Sequence, residues 1–269
     1  MAVASGAGLN GSEAGVGARQ SGLGGGGAGL GGGEVGVGGE VGVAGVGFAA
    51  IPALFERMSG DEKHEWAAAS TLHVLWVLYD RVLNVSPERV DDPDRDRFLL
   101  SKGHGPMAYY AVLAAKGYLD PSTLDTWTQW DSPLGQHPDR VLVPGVEISS
   151  GSLGHGLPIA VGMAVGLRLQ GRDAARVVVL VGDAELDEGS NHEAIALAGR
   201  LGLSNLTVVV VDNESGTHGW PGGVATRFAV EGWASSTVDG SDQEALYSAF
   251  VGVDSSRPSV VVARVVKGA

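Results

Sequence analysis

Arg176-Val177-Val178-Val179-Leu180-Val181-Gly182-Asp183-Ala184 decides the fold. Its aliphatic run has no polar alternation, the pattern of a strand buried on both faces in a parallel sheet. A second run, Leu206-Thr207-Val208-Val209-Val210-Val211, reads the same way and is followed by Asp212-Asn213. Asp183 and Asn213 are thirty residues apart, the length of one strand–helix–strand crossover. Both then lie just past strand ends pointing the same way, at the edge where open α/β sheets bind ligands. Asp183 by itself also fits a helix cap. Paired with Asn213 it offers hard oxygen ligands suited to Mg²⁺, which usually arrives with a phosphorylated ligand.

Working outward, strands alternate with helices, which predicts a doubly wound parallel α/β sheet with helices on both faces. Upstream, the pattern gives short helices over 52–58 and 122–130, a long one over 64–83, a turn at Ser86-Pro87-Glu88 and a brief strand Phe98-Leu99-Leu100. It also gives a helix over 106–116, an irregular loop over 131–152 and a glycine-bearing helix over 153–170. Downstream come a helix over 190–201, a short helix near 224–231, a strand 234–238, a helix 242–251 and a strand 259–266. Asp91-Asp92-Pro93-Asp94-Arg95-Asp96 reads as a solvated turn, and Trp127 and Trp130 as packing for a short helix or contacts for a partner chain.

Twenty of residues 1–47 are glycine. Ordering such a segment costs much backbone entropy and buries few side chains. Residues 1–50 are therefore expected to form a disordered Gly-rich tail, and residues 51–269 one folded domain. The formal charge of −13 argues against nucleic-acid or anionic-membrane partners. Absence of cysteine excludes disulfides and thiolate metal sites and fits a cytoplasmic protein. No run approaches the roughly twenty apolar residues of a membrane span.

The sequence resembles the thiamine diphosphate motif, in which Gly-Asp-Gly is followed at this spacing by Asn, and more narrowly the transketolase family. The likeness rests on Asp96-Arg97-Phe98-Leu99-Leu100-Ser101-Lys102-Gly103-His104, Pro144-Gly145-Val146-Glu147 and Gly151-Ser152-Leu153-Gly154-His155-Gly156. It continues in Gly182-Asp183-Ala184-Glu185-Leu186-Asp187-Glu188-Gly189, Asp212-Asn213 and Ala263-Arg264-Val265-Val266-Lys267-Gly268. It covers roughly residues 54–268, the N-terminal, diphosphate-binding part of a long transketolase.

The resemblance implies that Asp183, the side-chain oxygen of Asn213 and the Ser215 carbonyl ligate Mg²⁺, with two diphosphate oxygens and a water completing the shell. It implies that Gly182, Asp183 and Ala184 face the diphosphate, and that Gly151 and Leu153 line the aminopyrimidine. Ala184 departs from the usual glycine, so its methyl fits only if the local φ is negative. His104 matches a histidine contacting cofactor or substrate, and His137, in Gln136-His137-Pro138, one that binds the hydroxyl end of a ketose. His64 keeps the register of a third family histidine but lacks its flanking glycines and proline. Glu188 matches a glutamate near the dimer interface. His155 stands where longer relatives have glutamine, His218 where many have aspartate, and His73 and His192 fit helix patterns.

In this family a glutamate on a second, pyrimidine-binding domain activates the cofactor, and the chain stops at Ala269, before that domain. The resemblance thus implies the N-terminal subunit of a split transketolase. It is expected to act with a C-terminal partner subunit, as α2β2, moving a two-carbon ketol unit from a ketose or ketose phosphate to an aldehyde. The alternatives are a subunit of another thiamine diphosphate enzyme, deoxyxylulose-phosphate synthase-like or 2-oxo-acid dehydrogenase-like, and a non-catalytic transketolase-like binding protein. The first shares Gly-Asp…Asn but not Ser-Lys-Gly-His together with Gln-His-Pro.

Overall fold

The two valine-rich runs are central strands of an all-parallel sheet. In the computed structural model, which describes residues 46–59, 65–216 and 219–266, the strands are β1 (Arg97–Leu100), β2 (Val177–Gly182), β3 (Leu206–Asp212), β4 (Ala234–Asp239) and β5 (Ser259–Arg264), in the order β1-β2-β3-β5-β4. All of β2 is buried, and β3 is buried up to Val211, as unbroken aliphatic runs require.

Alternation along the strands divides the core in two. Val178, Leu180, Val209 and Val211 pack on one face against α1 (Ile51–Glu56), α2 (Glu65–Val77), α3 (Met107–Ala115) and α7 (Gln243–Val251). Val177, Val179, Val208 and Val210 pack on the other against α4 (Gly156–Leu169), α5 (Gly189–Leu201) and α6 (Val224–Ala229). The sheet is therefore doubly wound, with helices on both faces. Each fully buried Val or Leu side chain contributes about 1.5–3 kcal/mol.

Several element ends differ from the sequence reading, each for a local reason. The helix expected over 64–83 is α2 followed by a π turn at Leu78–Val82, closed by the Leu83 N–H donating to the Leu78 carbonyl at 2.8 Å. Val74 to Tyr79 are all buried, so this end is covered all round rather than along one stripe. The helix expected from Leu153 starts at Gly156, because Gly151 and Gly154 take φ of 126° and 81°. The segment expected as a helix over 122–130 is a 3-10 turn, Pro121–Thr126, capped by the Asp120 carboxylate, which accepts the Ser122 N–H at 2.8 Å. Trp127 is buried and donates its indole N–H to the Gly135 carbonyl at 3.3 Å, whereas Trp130 is 99% exposed. Packing is already present ahead of Ile51: the Phe48 ring lies tilted against His73 and Trp76, with centroids 4.7 and 5.8 Å away. Residues 1–45 of the Gly-rich segment, and also His64, His218 and Lys267-Gly268, lie outside the described residues.

The acidic stretch before β1 is not uniformly solvated. Asp96 is buried at 1% exposure. It accepts the Asn84 and Arg176 backbone N–H groups at 2.9 and 2.8 Å and the Arg176 guanidinium at 2.5 Å. It thereby joins the entries of β1 and β2. Removing one partner leaves buried polar groups unpaired, so Asp96→Ala is expected to cost about 3 kcal/mol. Urea unfolding measures this, and a loss below about 1 kcal/mol would contradict the assignment.

Candidate active site

The site grows from the register between β2 and β3. Gly182 pairs with Val211, and the Asp183 N–H extends the ladder to the Val211 carbonyl at 3.1 Å. Asp183 therefore stands beside Asp212, one residue before Asn213. The Asp183 carboxylate does not cap a helix. Its Oδ1 accepts the Ser215 hydroxyl at 2.6 Å and its Oδ2 the Gly216 N–H at 2.8 Å, so Ser215 meets Asp183 through its side chain. Asn213 Nδ2 donates to Ser70 Oγ at 3.3 Å, while Asn213 Oδ1 is buried with no partner among the described residues. Glu214 next to it holds φ of 60°, a strained conformation of the kind that collects at functional loops. Burial and the neighbouring Asp183 charge push the Asp212 carboxyl above its ordinary range.

A second group of expected residues meets across the loops after β1 and before α4. The His104 and His137 rings lie 6.3 Å apart. Both side chains are exposed, and so is that of Glu188 at the start of α5. Gly151 lies directly under His137: a methyl there would sit 2.7 Å from the imidazole, at a φ of 126°. Gly151→Ala is therefore expected to displace the ring and cost about 1–3 kcal/mol. The His137 NMR resonances and urea unfolding check this, and an unchanged ring signal would contradict it. Leu153 is half-buried beside Gly154. Ala184 opens the 3-10 turn Ala184–Asp187 and takes no left-handed conformation, so its methyl adds no backbone strain.

Sequence reasoning passed over the groups beneath the site. Lys102 is 7% exposed, and its Nζ donates to the Ala67 carbonyl at 2.6 Å and the His104 carbonyl at 3.3 Å. Burial pulls its ammonium down to about 8, against the opposing charges of Asp183 and Glu185. Its place in Ser-Lys-Gly-His was visible, but its burial was not. A cavity of about 420 Å³ opens beside Asp183, lined among others by Asp187, His192, Asp212, Trp220 and Arg227. Arg227 Nε donates to His192 Nδ1 at 3.1 Å, its guanidinium faces the Trp220 ring at 5.2 Å, and it pairs with Glu231. His73 packs at a tilt against Phe48, meets Gln243 at 3.2 Å, and lines a separate cavity with Asp239 and Arg264 at the ends of β4 and β5. Among the described residues, no helix is long and apolar enough to cross a membrane.

Comparison with known proteins places this geometry in a family. Residues 51–269 match the family described as "Transketolase, thiamine diphosphate binding domain". A protein of Rhodococcoides fascians named "Ferredoxin fas2" is 59% identical over 217 residues, 81% of this chain and 71% of its own length. This chain has no cysteine, so that name brings no thiolate-held iron–sulfur cluster with it. One of the subunits of an apulose-4-phosphate transketolase from Actinobacillus succinogenes is 36% identical over 213 residues, 77% of each chain. Transketolase from Pichia stipitis, a solved structure, superposes with a TM-score of 0.70 at 25% identity over 81% of this chain. This chain covers 35% of that one. By sequence, by fold and by the placement of its motifs at one sheet edge, the chain belongs to the transketolase family and carries its N-terminal, thiamine diphosphate-binding domain.

Proposed function

We propose that this chain is the N-terminal subunit of a split transketolase, holding thiamine diphosphate and Mg²⁺ and acting with a C-terminal partner subunit. The observation that carries the reading is the buried Asn213 Oδ1, without a partner among the described residues, at the strand end next to the one that carries Asp183. A buried amide oxygen without a partner is costly, and a carboxylate with an amide oxygen is a donor set that suits Mg²⁺. The cavity beside Asp183 also carries Asp187, Asp212 and Glu214. A diphosphate settles near these carboxylates only with a cation between them, which supports the same assignment.

In this reading Asp183 and Asn213 hold the cation, Ser215 fixes the Asp183 carboxylate, and Gly182 and Ala184 border the diphosphate. Gly151 and Leu153 border the aminopyrimidine. Thiamine diphosphate supplies a carbon nucleophile and an electron sink for cleaving the bond beside a ketose carbonyl. His104 and His137 offer ring nitrogens to sugar hydroxyls and hold or accept their protons as the two-carbon unit leaves the donor and reaches an aldehyde. Glu188, exposed at the start of α5, is available to a neighbouring protomer. The assembly is α2β2, and the relative's name points to sugar phosphates as substrates.

The test is a titration of thiamine diphosphate with Mg²⁺, by calorimetry, into this chain alone and into its complex with the product of an adjacent C-terminal transketolase gene. Mg²⁺-dependent binding by the complex, followed by ketol transfer, is the expected result. A folded, associated complex that binds no cofactor would overturn the reading.

A further inference from the structure

One buried carboxylate at this edge is given no role in the proposed function. Glu185 is 1% exposed and lies in the turn directly after Asp183-Ala184. Its Oε1 accepts both the Ser101 hydroxyl and the Gly154 N–H, the latter at 3.0 Å, and its Oε2 accepts the Gly182 N–H at 3.4 Å. Ser101 Oγ in turn accepts the Gly156 N–H at 3.0 Å. The Glu185 carbonyl is tied down as well, accepting Asn191 Nδ2 at 2.6 Å and the Glu188 N–H at 3.1 Å. Its side chain therefore joins three segments distant in sequence: the end of β1, the glycine loop before α4 and the end of β2.

We infer that Glu185 is a positioning residue, whose carboxylate clasps Ser101, Gly154 and Gly182 and so sets the cofactor cradle before any ligand arrives. The inference rests on the proposed function only in naming that cradle's ligand. The chemistry needs a carboxylate. Three donors converge on its two oxygens, and an ionised carboxylate only accepts, with room for about four hydrogen bonds. An amide of the same shape places an N–H₂ against at least one of those donors. Burial pushes the Glu185 carboxyl up, while its three donors and the Lys102 ammonium oppose that shift. Lys102 fixes the adjacent stretch through the Ala67 and His104 carbonyls.

Glu185→Gln tests this in two measurements. In the full chain without cofactor, hydrogen exchange is expected to accelerate about tenfold in peptides spanning 151–156 and 180–184 and to stay unchanged in β3 and β5. In the complex with the partner subunit, affinity for thiamine diphosphate with Mg²⁺ is expected to fall about 10- to 100-fold. If Glu185→Gln does not fold, Ser101→Ala, which removes one donor and frees the Gly156 N–H, is expected to give the same localised exchange with a smaller affinity loss. Uniform acceleration across the chain, or unchanged cofactor affinity, would overturn the clasp. A wild-type complex that binds no cofactor would overturn the proposed function, whereas the exchange arm judges the clasp without it.

Discussion

Asn213→Ala is expected to leave the ligand-free chain at least as stable as the wild type while lowering its Mg²⁺-dependent affinity for thiamine diphosphate at least about 100-fold. Two opposed effects meet at this side chain. Without ligand, Asn213 Oδ1 is buried and has no partner among the described residues, a condition costing about 1–3 kcal/mol. Among the described residues, the one bond lost with the amide is Nδ2 to Ser70 at a long 3.3 Å. Truncation removes the costly atom and a weak bond together, so the melting temperature should hold or rise. With ligand, the same oxygen is a proposed metal contact, and losing one exceeds the 10- to 100-fold usual for an outer-shell partner. Asp183→Asn should lose affinity to a similar degree by removing the charge. It should also lose stability, because its new amide meets the Gly216 N–H or the Ser215 hydroxyl that now donate to the carboxylate. Calorimetry and thermal melts on both variants decide the matter. Asn213→Ala with affinity within threefold of the wild type would remove Asn213 from the metal site.

Stability against alkali should pass through a maximum and then fall steeply. Burial raises Tyr79, Tyr109 and Tyr110 above the ordinary tyrosine range and pushes Tyr118 up to about 12. In the unfolded chain these phenols ionise near pH 10, while in the folded chain they keep their protons. The unfolded state then binds fewer protons, so stability declines with rising pH. With Tyr79, Tyr109 and Tyr110 contributing, the slope reaches roughly 4 kcal/mol per pH unit near pH 11. Lys102 acts in the opposite sense. Its folded value of about 8 lies below the unfolded value, so the cost of its buried charge is full below pH 8 and is relieved as pH rises toward about 10. Urea midpoints from pH 7 to 11.5 are expected to rise slightly and then collapse, and a flat profile above pH 10 would contradict the burial of these phenols. The loss should reach the loop that carries His137 early. Tyr110 donates to the Gly135 carbonyl at 3.0 Å and Tyr109 to that of Gly145 at 3.4 Å, which hold that loop against α3.

The two neighbouring strand ends that carry Asp183 and Asn213 were legible because their information is local. An aliphatic run without alternation encodes a doubly buried strand, and thirty residues between two such ends encode one crossover. Those facts, with the motifs around Ser101 to His104 and Gly151 to Gly156, determined the parallel doubly wound sheet, the family and the edge proposed for the site. Tertiary structure alone decided which polar residues are buried at that edge. Asp96 lies in an acidic run that reads as solvated, yet it is sealed between the entries of β1 and β2. Glu185 and Lys102 follow motif residues as ordinary charged side chains, and only packing brings Ser101, Gly154 and Gly182 onto one carboxylate. The same holds for Gly151 beneath His137 and for the orphaned oxygen of Asn213. Strand period and crossover length are properties of consecutive residues. Burial of a charge is set by what segments scores of residues away place over it, and no local pattern carries that.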